Sequence, residues 1–277
     1  MDRLNLEKQA AENELDLRKK AVQKLCLEKK ISQNETARVA LVLDASGSMY
    51  DSYSNGTIQS IINRLLPIAM NFDDNGEMEL WTFNHGFKRQ TTINKKNFFR
   101  YVKSNLDAPC GGTCYGPVMN DVGMKYIQEE PANLPNFVIF ITDGENNDVR
   151  DTNKVIQNLS RYPIFFQFIG VGDTNFSYLR DLDENVPDRY VDNANFFAIP
   201  SIDALNKMND EELYSKLLKE YPTWLEYKEV KEMIKKQTSR KTKYKNYYKH
   251  NKSGSGSGSS ILGDVLEIVS DIFDIFT

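Results

Sequence analysis

Histidine and cysteine are scarce in this chain, which has two histidines and three cysteines among its 277 residues. A small, odd number of cysteines argues against a disulfide scaffold and fits a reducing compartment. Cys110 and Cys114 lie close in sequence, but they lack the further partners that a zinc site needs. We therefore expect Cys110 and Cys114 to be two reduced thiols in a loop. The alternative is a redox pair whose oxidation state controls metal binding at a nearby site.

Long apolar runs are missing too. No uncharged apolar stretch reaches the roughly 18 residues of a membrane-spanning helix, and residues 1–7 lack the apolar stretch of a signal peptide. Hydrophobic residues still make up 40% of the chain, which is enough to form a core. These features predict a cytoplasmic protein without a membrane span.

Motifs of the common enzyme classes are also missing. The chain has no Gly-x-x-x-x-Gly-Lys phosphate loop and no Gly-x-Ser-x-Gly nucleophile turn. His85 follows a predicted strand and is expected to be a loop residue rather than a base. A metal phosphoesterase would need a second metal, or a denser carboxylate cluster with a base. The sequence therefore favours a protein that is not an enzyme, with a metal-dependent phosphoesterase as the alternative.

The chain does contain apolar strands that alternate with amphipathic helices. Apolar runs at 39–43, 137–141 and 164–171 predict strands that are buried on both faces, the first of them at 38–43. Further strands are predicted at 77–83, 87–93 and 196–199, and helices at 4–30, 57–72, 95–105, 115–130, 153–161, 176–183 and from 210 onward. This pattern predicts an α/β fold, a doubly wound, mostly parallel sheet with helices on both faces. The helix at 4–30 either packs on this domain or binds a partner.

A carboxylate and two hydroxyls follow the first predicted strand at alternate positions. In an extended loop, Asp44, Ser46 and Ser48 would converge on one point, with Gly47 allowing a close backbone turn. Three oxygen donors, one of them charged, suit a hard divalent cation such as Mg²⁺. Ligands of parallel sheets bind at the carboxyl ends of strands, where Asp143 also falls. The alternative, a helix cap formed by Asp44 and Ser46, leaves Asp143 unexplained.

These residues resemble the metal-ion-dependent adhesion site (MIDAS) of von Willebrand factor A domains, which is Asp-x-Ser-x-Ser followed by a distant Thr and a distant Asp. The resemblance covers residues 37–205. It implies that a bound Mg²⁺, or Mn²⁺ or Ca²⁺, keeps an open position for a carboxylate of a protein partner. The ligands that it implies are Asp44, Ser46, Ser48, Thr113 and Asp143.

A narrower resemblance links the chain to bacterial A-domain proteins of the tellurium-resistance group. It rests on the segments 15–20, 111–119, 189–197, 210–214 and 221–225. It covers residues 4–225 and implies a cytosolic stress-response or phage-defence context. The predicted organisation is an N-terminal helical segment at 1–35 and an A domain at 36–225.

Charge and composition divide the rest of the chain into three predicted parts. Residues 226–252 contain ten Lys or Arg and three Glu, so they could bind nucleic acid. A solvated helix or a disordered connector is favoured, because no groove-reading motif is present. Residues 253–260 are a Gly/Ser linker, native or engineered. Residues 261–277 predict an amphipathic helix with four acids on one face, which docks to a second protein or drives self-assembly in a structural or cargo protein.

Overall fold

The computed structural model describes residues 3–29, 31, 36–73, 75–144, 146–172, 175–239 and 244. The predicted linker at 253–260 and the predicted docking helix at 261–277 lie outside the described residues. So does most of the basic segment beyond Ser239. Within the described part of the chain, no helix is both long enough and apolar enough to cross a membrane.

A six-stranded sheet forms the centre of the molecule. Its strands are β1 (Arg38–Asp44), β2 (Met78–Phe83), β3 (Phe87–Arg89), β4 (Asn136–Thr142), β5 (Ile164–Val171) and β6 (Ala194–Ile199). The order across the sheet is β3-β2-β1-β4-β5-β6, and every neighbouring pair is parallel except β2 and β3. The doubly wound, mostly parallel sheet predicted from the apolar runs is therefore confirmed.

Eleven α-helices are present in the described residues. They are α1 (Arg3–Glu28), α2 (Tyr50–Ser54), α3 (Thr57–Phe72), α4 (Tyr101–Asn105), α5 (Tyr115–Gly123), α6 (Val149–Leu159), α7 (Ser177–Glu184), α8 (Ile202–Lys207), α9 (Asp210–Leu217), α10 (Tyr221–Glu226) and α11 (Lys228–Lys236). A π-helical stretch, Met124–Glu129, continues α5, and 3₁₀ turns occur at Gly47–Met49 and Gln237–Ser239.

Helices cover both faces of the sheet, which explains why the central strands are mostly apolar along their length. Alternate side chains of a strand point to opposite faces. On one face, the ring of Phe137 lies 4.5 Å from the ring of Tyr221 in α10. On the other face, the ring of Phe83 lies 5.8 Å from the ring of Tyr115 in α5. Both faces are thus covered by helices, so the central strands lack the alternation of polar and apolar residues that is typical of a strand with one solvent-facing side.

The N-terminal helix α1 packs on the domain, against α3 and α9. Its buried residues are Leu15, Val22, Leu25 and Cys26. Arg18 of α1 and the buried Arg64 of α3 both contact the carboxylate of Asp210, at 3.1 and 3.0 Å. Of the two alternatives for this helix, the described structure shows the packed one.

The helix predicted at 95–105 is shorter than expected, because side chains compete with the helical backbone. Asn94 accepts a hydrogen bond from the backbone N–H of Lys96, and Asn97 accepts one from the N–H of Asn94. Arg100 has a left-handed φ of 56°, so the helix begins only at Tyr101. The strand predicted at 87–93 is likewise restricted to β3, and α2 and α8 were not predicted.

Part of the basic segment belongs to the globular body. Val230 and Met233 of α11 are buried, and so is Tyr244, which is only 3% exposed. The hydroxyl of Tyr244 donates to Asn120 Oδ1 at 3.2 Å, and Gln128 Nε2 donates to the Tyr244 carbonyl at 2.6 Å. The helical alternative predicted for this segment is thus present in α11, but Val230, Met233 and Tyr244 pack on the domain rather than facing solvent.

A glycine makes room for this tyrosine. A Cβ at Gly123 would lie 2.9 Å from the Tyr244 ring and 2.6 Å from Leu159 Cδ2. Gly123 is the last residue of α5, and the π-helical stretch begins directly after it. The slot that receives Tyr244 thus depends on a small residue at the junction between two kinds of helix.

Candidate metal centre

The predicted site residues lie where the parallel strands end, which we call the carboxyl edge. Asp44 is the last residue of β1 and Thr142 is the last residue of the adjacent β4. Asp143 follows Thr142, and Thr113 lies in the loop before α5. We refer to Asp44, Ser46, Ser48, Thr113 and Asp143 together as the oxygen cluster.

Asp44 is completely buried and has both carboxylate oxygens engaged. Its Oδ1 accepts the backbone N–H of Ser46 at 2.7 Å, and its Oδ2 accepts the hydroxyl of Thr142 at 2.6 Å. Burial raises the pKa of Asp44 above its ordinary value, and the hydrogen bonds from Ser46 and Thr142 oppose that rise. The carboxylate is thus held in a fixed orientation at the edge.

The two serines connect to Asp143 through their hydroxyls. Ser46 Oγ and Ser48 Oγ lie 3.1 Å apart, and Ser48 Oγ donates to Asp143 Oδ1 at 2.9 Å. Burial raises the pKa of Asp143, and the hydrogen bond from Ser48 lowers it. Residues that are 95 positions apart in sequence are therefore in direct contact.

Thr113 reaches the same edge through a loop that Asn147 fixes. The backbone N–H of Thr113 donates to Asn147 Oδ1 at 2.9 Å, and the N–H of Asn147 donates to the Thr113 carbonyl at 2.8 Å. A Cβ at Gly144 would lie 3.2 Å from Thr113 Oγ1. The Thr113 side chain therefore packs against the residue that directly follows Asp143.

Backbone contacts tie this loop to the Asp44–Ser48 segment. The N–H of Gly47 donates to the Gly111 carbonyl at 3.1 Å, and the N–H of Cys110 donates to the Ala45 carbonyl at 2.8 Å. Gly111 has a φ of 83°, and a Cβ there would lie 2.5 Å from His85 Nδ1. His85 thus packs on the loop backbone, while Cys110 and Cys114 are free thiols.

The chemistry of the oxygen cluster fits a hard divalent cation. Its side chains offer two carboxylates and three hydroxyls, with no nitrogen or sulfur donor. Among the described residues, neither Asp44 nor Asp143 forms an ion pair with Lys or Arg, although Asp44 is completely buried and Asp143 is partly buried. The described part also contains no group of three or more His, Cys, Asp and Glu that could hold a metal. A cation would supply the positive charge that two desolvated carboxylates lack.

Several residues that shape the cluster were not identified as site residues from the sequence. Thr142 orients Asp44, and the hydroxyl of Tyr53 donates to the Asp44 carbonyl at 2.9 Å. The hydroxyl of Tyr115 donates to the Gly144 carbonyl at 2.8 Å. Thr142 carried a signal, because it stands next to Asp143 at a strand end. Tyr53 carried none, because α2 was not predicted.

A doubly wound sheet with an Asp-x-Ser-x-Ser loop at its carboxyl edge is the arrangement of a von Willebrand factor A domain. A family model for vWA-TerF-like domains, described as the vWA found in the TerF C terminus, matches residues 36–234. The uncharacterized protein YcbR of Bacillus subtilis (strain 168) is 41% identical over 228 residues, which cover 80% of this chain and 91% of YcbR. The chain belongs to the vWA-TerF-like family.

Solved structures show the same fold at lower identity. Proximal thread matrix protein 1 from the mussel byssus, solved with a zinc-occupied MIDAS motif, is 23% identical with a TM-score of 0.50, over 66% of this chain and 46% of that one. A von Willebrand factor type A structure from Catenulispora acidiphila is 15% identical with a TM-score of 0.50, over 66% and 43%. The match thus spans less than half of either solved chain.

Proposed function

We propose that this chain is a metal-dependent protein-binding module that recognises an acidic side chain of its partner. The observation that carries the proposal is the oxygen cluster, in which one fully buried carboxylate, Asp44, and one partly buried carboxylate, Asp143, lie among three hydroxyls without a Lys or Arg partner in the described structure. A bound divalent cation would supply a positively charged position that a carboxylate of the partner can occupy.

The five residues of the oxygen cluster would hold Mg²⁺, or Mn²⁺ or Ca²⁺ in its place. Thr142 and the Ser46 N–H keep Asp44 oriented, and Ser48 links the first loop to Asp143. Only two of the five donors are charged, so the charge of a divalent cation is not overcompensated. The zinc-occupied MIDAS motif of the mussel protein supports a divalent ion at this edge of the fold.

Binding rather than catalysis is the use that the cluster favours. Catalysis by general acid or base needs a group free to exchange a proton with substrate. Both oxygens of Asp44 already accept hydrogen bonds, and His85 packs against the Gly111 backbone. A metal-dependent phosphoesterase remains the alternative, and it predicts turnover of p-nitrophenyl phosphate that requires Mg²⁺ or Mn²⁺ and is lost in Asp44→Asn.

The cellular context is proposed from the family. The vWA-TerF-like match supports a bacterial, cytoplasmic role in stress response or phage defence. Residues 261–277 would dock to a second protein or to another copy of the chain, and residues 226–252 are a weaker candidate for nucleic-acid contact. If residues 261–277 drive self-assembly, deleting them lowers the mass of the particle measured by light scattering, whereas an unchanged particle mass contradicts this role.

Metal-dependent capture tests the main proposal. Full-length protein is immobilised and exposed to a bacterial lysate with Mg²⁺ or with EDTA, and Mn²⁺ binding is measured in parallel by calorimetry. Wild type and Asp51→Asn, which removes one charge from the neighbouring helix α2, are expected to bind Mn²⁺ and to capture a partner only with Mg²⁺. Asp44→Asn and Ser46→Ala are expected to lose both while keeping the same circular dichroism spectrum. Capture that is equal in EDTA contradicts the metal bridge.

A further inference from the structure

We propose that a cleft beside the oxygen cluster binds a second acidic group of the same partner, with Lys103 as the cation that contacts it. This recognition rests on the proposed function, because the partner's first carboxylate occupies the metal position. It goes further by naming the partner as an extended acidic protein segment, with at least two acidic residues close in sequence.

The cleft has a volume of about 760 Å³ and lies between α2 and the segment that leads from Arg100 to Pro109. Residues that line it include Tyr50, Asn55, Gln59, Arg100, Lys103 and Pro109. Tyr50 is 55% exposed, so an aromatic surface is available at its wall. Pockets that combine an apolar wall with a few polar groups are typical of peptide and ligand sites.

Both walls of the cleft are attached to the oxygen cluster. The α2 wall begins one residue after the Gly47–Met49 turn, and its Tyr53 hydroxyl donates to the Asp44 carbonyl at 2.9 Å. The other wall ends at Pro109, and the next residue, Cys110, donates its N–H to the Ala45 carbonyl at 2.8 Å. A partner polypeptide whose first carboxylate occupies the metal position can therefore continue directly over the cleft.

Lys103 carries the uncompensated charge of this cleft. The guanidinium of Arg100 pairs with Glu7 at 2.8 Å, and the carboxylate of Asp107 pairs with Lys88 at 2.7 Å. Lys103 is exposed and has no ion pair or hydrogen bond within the described residues. A second carboxylate of the partner is the group that complements this charge.

An acidic protein segment fits the cleft better than a polyphosphate. The cleft has little positive charge, because Asp107 is part of its lining and Arg100 is paired with Glu7. A polyphosphate, which carries a negative charge on every phosphate unit, would need more. An extended peptide advances roughly 3.3 Å per residue, so acids two to six residues apart reach about 7–20 Å. That span covers a cleft next to the metal position, and Tyr50 can pack on an intervening side chain.

Blocked glycine–serine peptides test the proposal on the full-length chain. One peptide carries a single Asp, and six others add a Glu two, four or six residues before or after it. Binding is measured by fluorescence anisotropy in Mg²⁺ and in EDTA. We expect at least one spacing to bind about three- to fivefold tighter than the single-Asp peptide, as for a partly exposed ion pair.

Charge reversal at Lys103 separates the cleft from the metal position. Lys103→Glu and Lys103→Met are expected to abolish the gain from the second acid and to leave the single-Asp peptide unchanged. Lys228→Glu, an exposed lysine of α11 outside the cleft, is expected to keep the gain.

Three outcomes overturn the proposal. If no spacing gives a gain, or if Lys103→Glu weakens both kinds of peptide equally, the cleft is not a second site, although the metal-dependent function stands. If Mn²⁺ binds the protein but no peptide binds in Mg²⁺, carboxylate recognition fails as well. If a polyphosphate binds with Lys103 dependence and the peptides do not, the partner class is wrong.

Discussion

Thr142 donates a hydrogen bond from its hydroxyl to Oδ2 of Asp44 at 2.6 Å, across the neighbouring parallel strands β4 and β1. Both side chains are completely buried. The bond joins residues 98 positions apart in sequence and fixes the orientation of the carboxylate at the centre of the proposed metal site. Removing a group that orients a metal ligand in this way typically weakens metal binding.

Replacing Thr142 by valine is therefore expected to lower Mn²⁺ affinity about 10- to 100-fold. Valine has the shape of threonine, so the buried site stays filled, but Asp44 Oδ2 loses its donor. Thr142→Ser keeps the hydroxyl and is expected to retain affinity within a few-fold. Calorimetric titration of both variants checks this. Equal affinities in wild type and Thr142→Val would show that the bond does not tune the site.

Replacing Tyr244 is expected to release the basic segment from the body. Tyr244→Ala removes a buried ring and its hydrogen bond to Asn120, so trypsin should cut faster after Lys243 and Lys245. Tyr244→Phe loses only the hydroxyl, worth about 1 kcal/mol, and should be cut at an intermediate rate. Tyr227→Ala, at an exposed position, serves as the control. Identical cleavage rates in wild type and Tyr244→Ala would contradict anchoring.

Asp183 is expected to make the protein less stable as the pH rises from about 4 to about 6. Burial, and then the negative charge of Glu220, raises the pKa of Asp183 from 3.8 to about 6. The folded state therefore holds a proton that the unfolded state has lost, and the free energy of unfolding falls through this window. The carboxyl is only half buried, so solvent screening reduces the effect to about 1 kcal/mol.

The variant Asp183→Asn tests this pH dependence, because its oxygen can still accept the hydrogen bond from the Phe196 N–H. We expect the free energy of unfolding of this variant to exceed that of wild type by about 1 kcal/mol near pH 7 and to match it near pH 4. Urea unfolding at both pH values measures the difference. Asp188→Asn, at an exposed position with φ 59° that asparagine tolerates, is the control. If Asp183→Asn raised the free energy of unfolding by the same amount at both pH values, titration of the Asp183 carboxyl would not be the cause.

Arg64 is expected to be the most sensitive charged residue for stability. Its guanidinium is only 2% exposed and donates to the carbonyls of Leu205, Asn206 and Met208 and to Asp210. Arg64→Met leaves these acceptors without donors and should lower the free energy of unfolding, measured with urea, by about 3–5 kcal/mol. Arg18→Met, which removes the other arginine on Asp210, should cost less because Arg18 is partly exposed. Equal losses would contradict this ranking.

The sequence by itself determined the sheet and the place of the candidate site. The buried strands of a parallel sheet are apolar on both faces, so β1, β4 and β5 are visible as mostly apolar runs. Because the carboxyl ends of parallel strands meet at one edge, polar residues after two such runs had to come close together. Asp44 and Asp143 do lie at that edge, since both signals are local to the strand ends.

Only the tertiary structure decided which residues support that site and that Tyr244 of the basic segment packs on the domain. Thr142, Tyr53 and Asn147 act on the cluster through bonds that span 98, 9 and 34 residues, and no local pattern marks such bonds. Tyr244 is buried because Gly123 leaves space beneath it, although its own surroundings in the sequence are basic. Propensity and periodicity describe a residue's neighbours along the chain, whereas these positions depend on neighbours that only folding supplies.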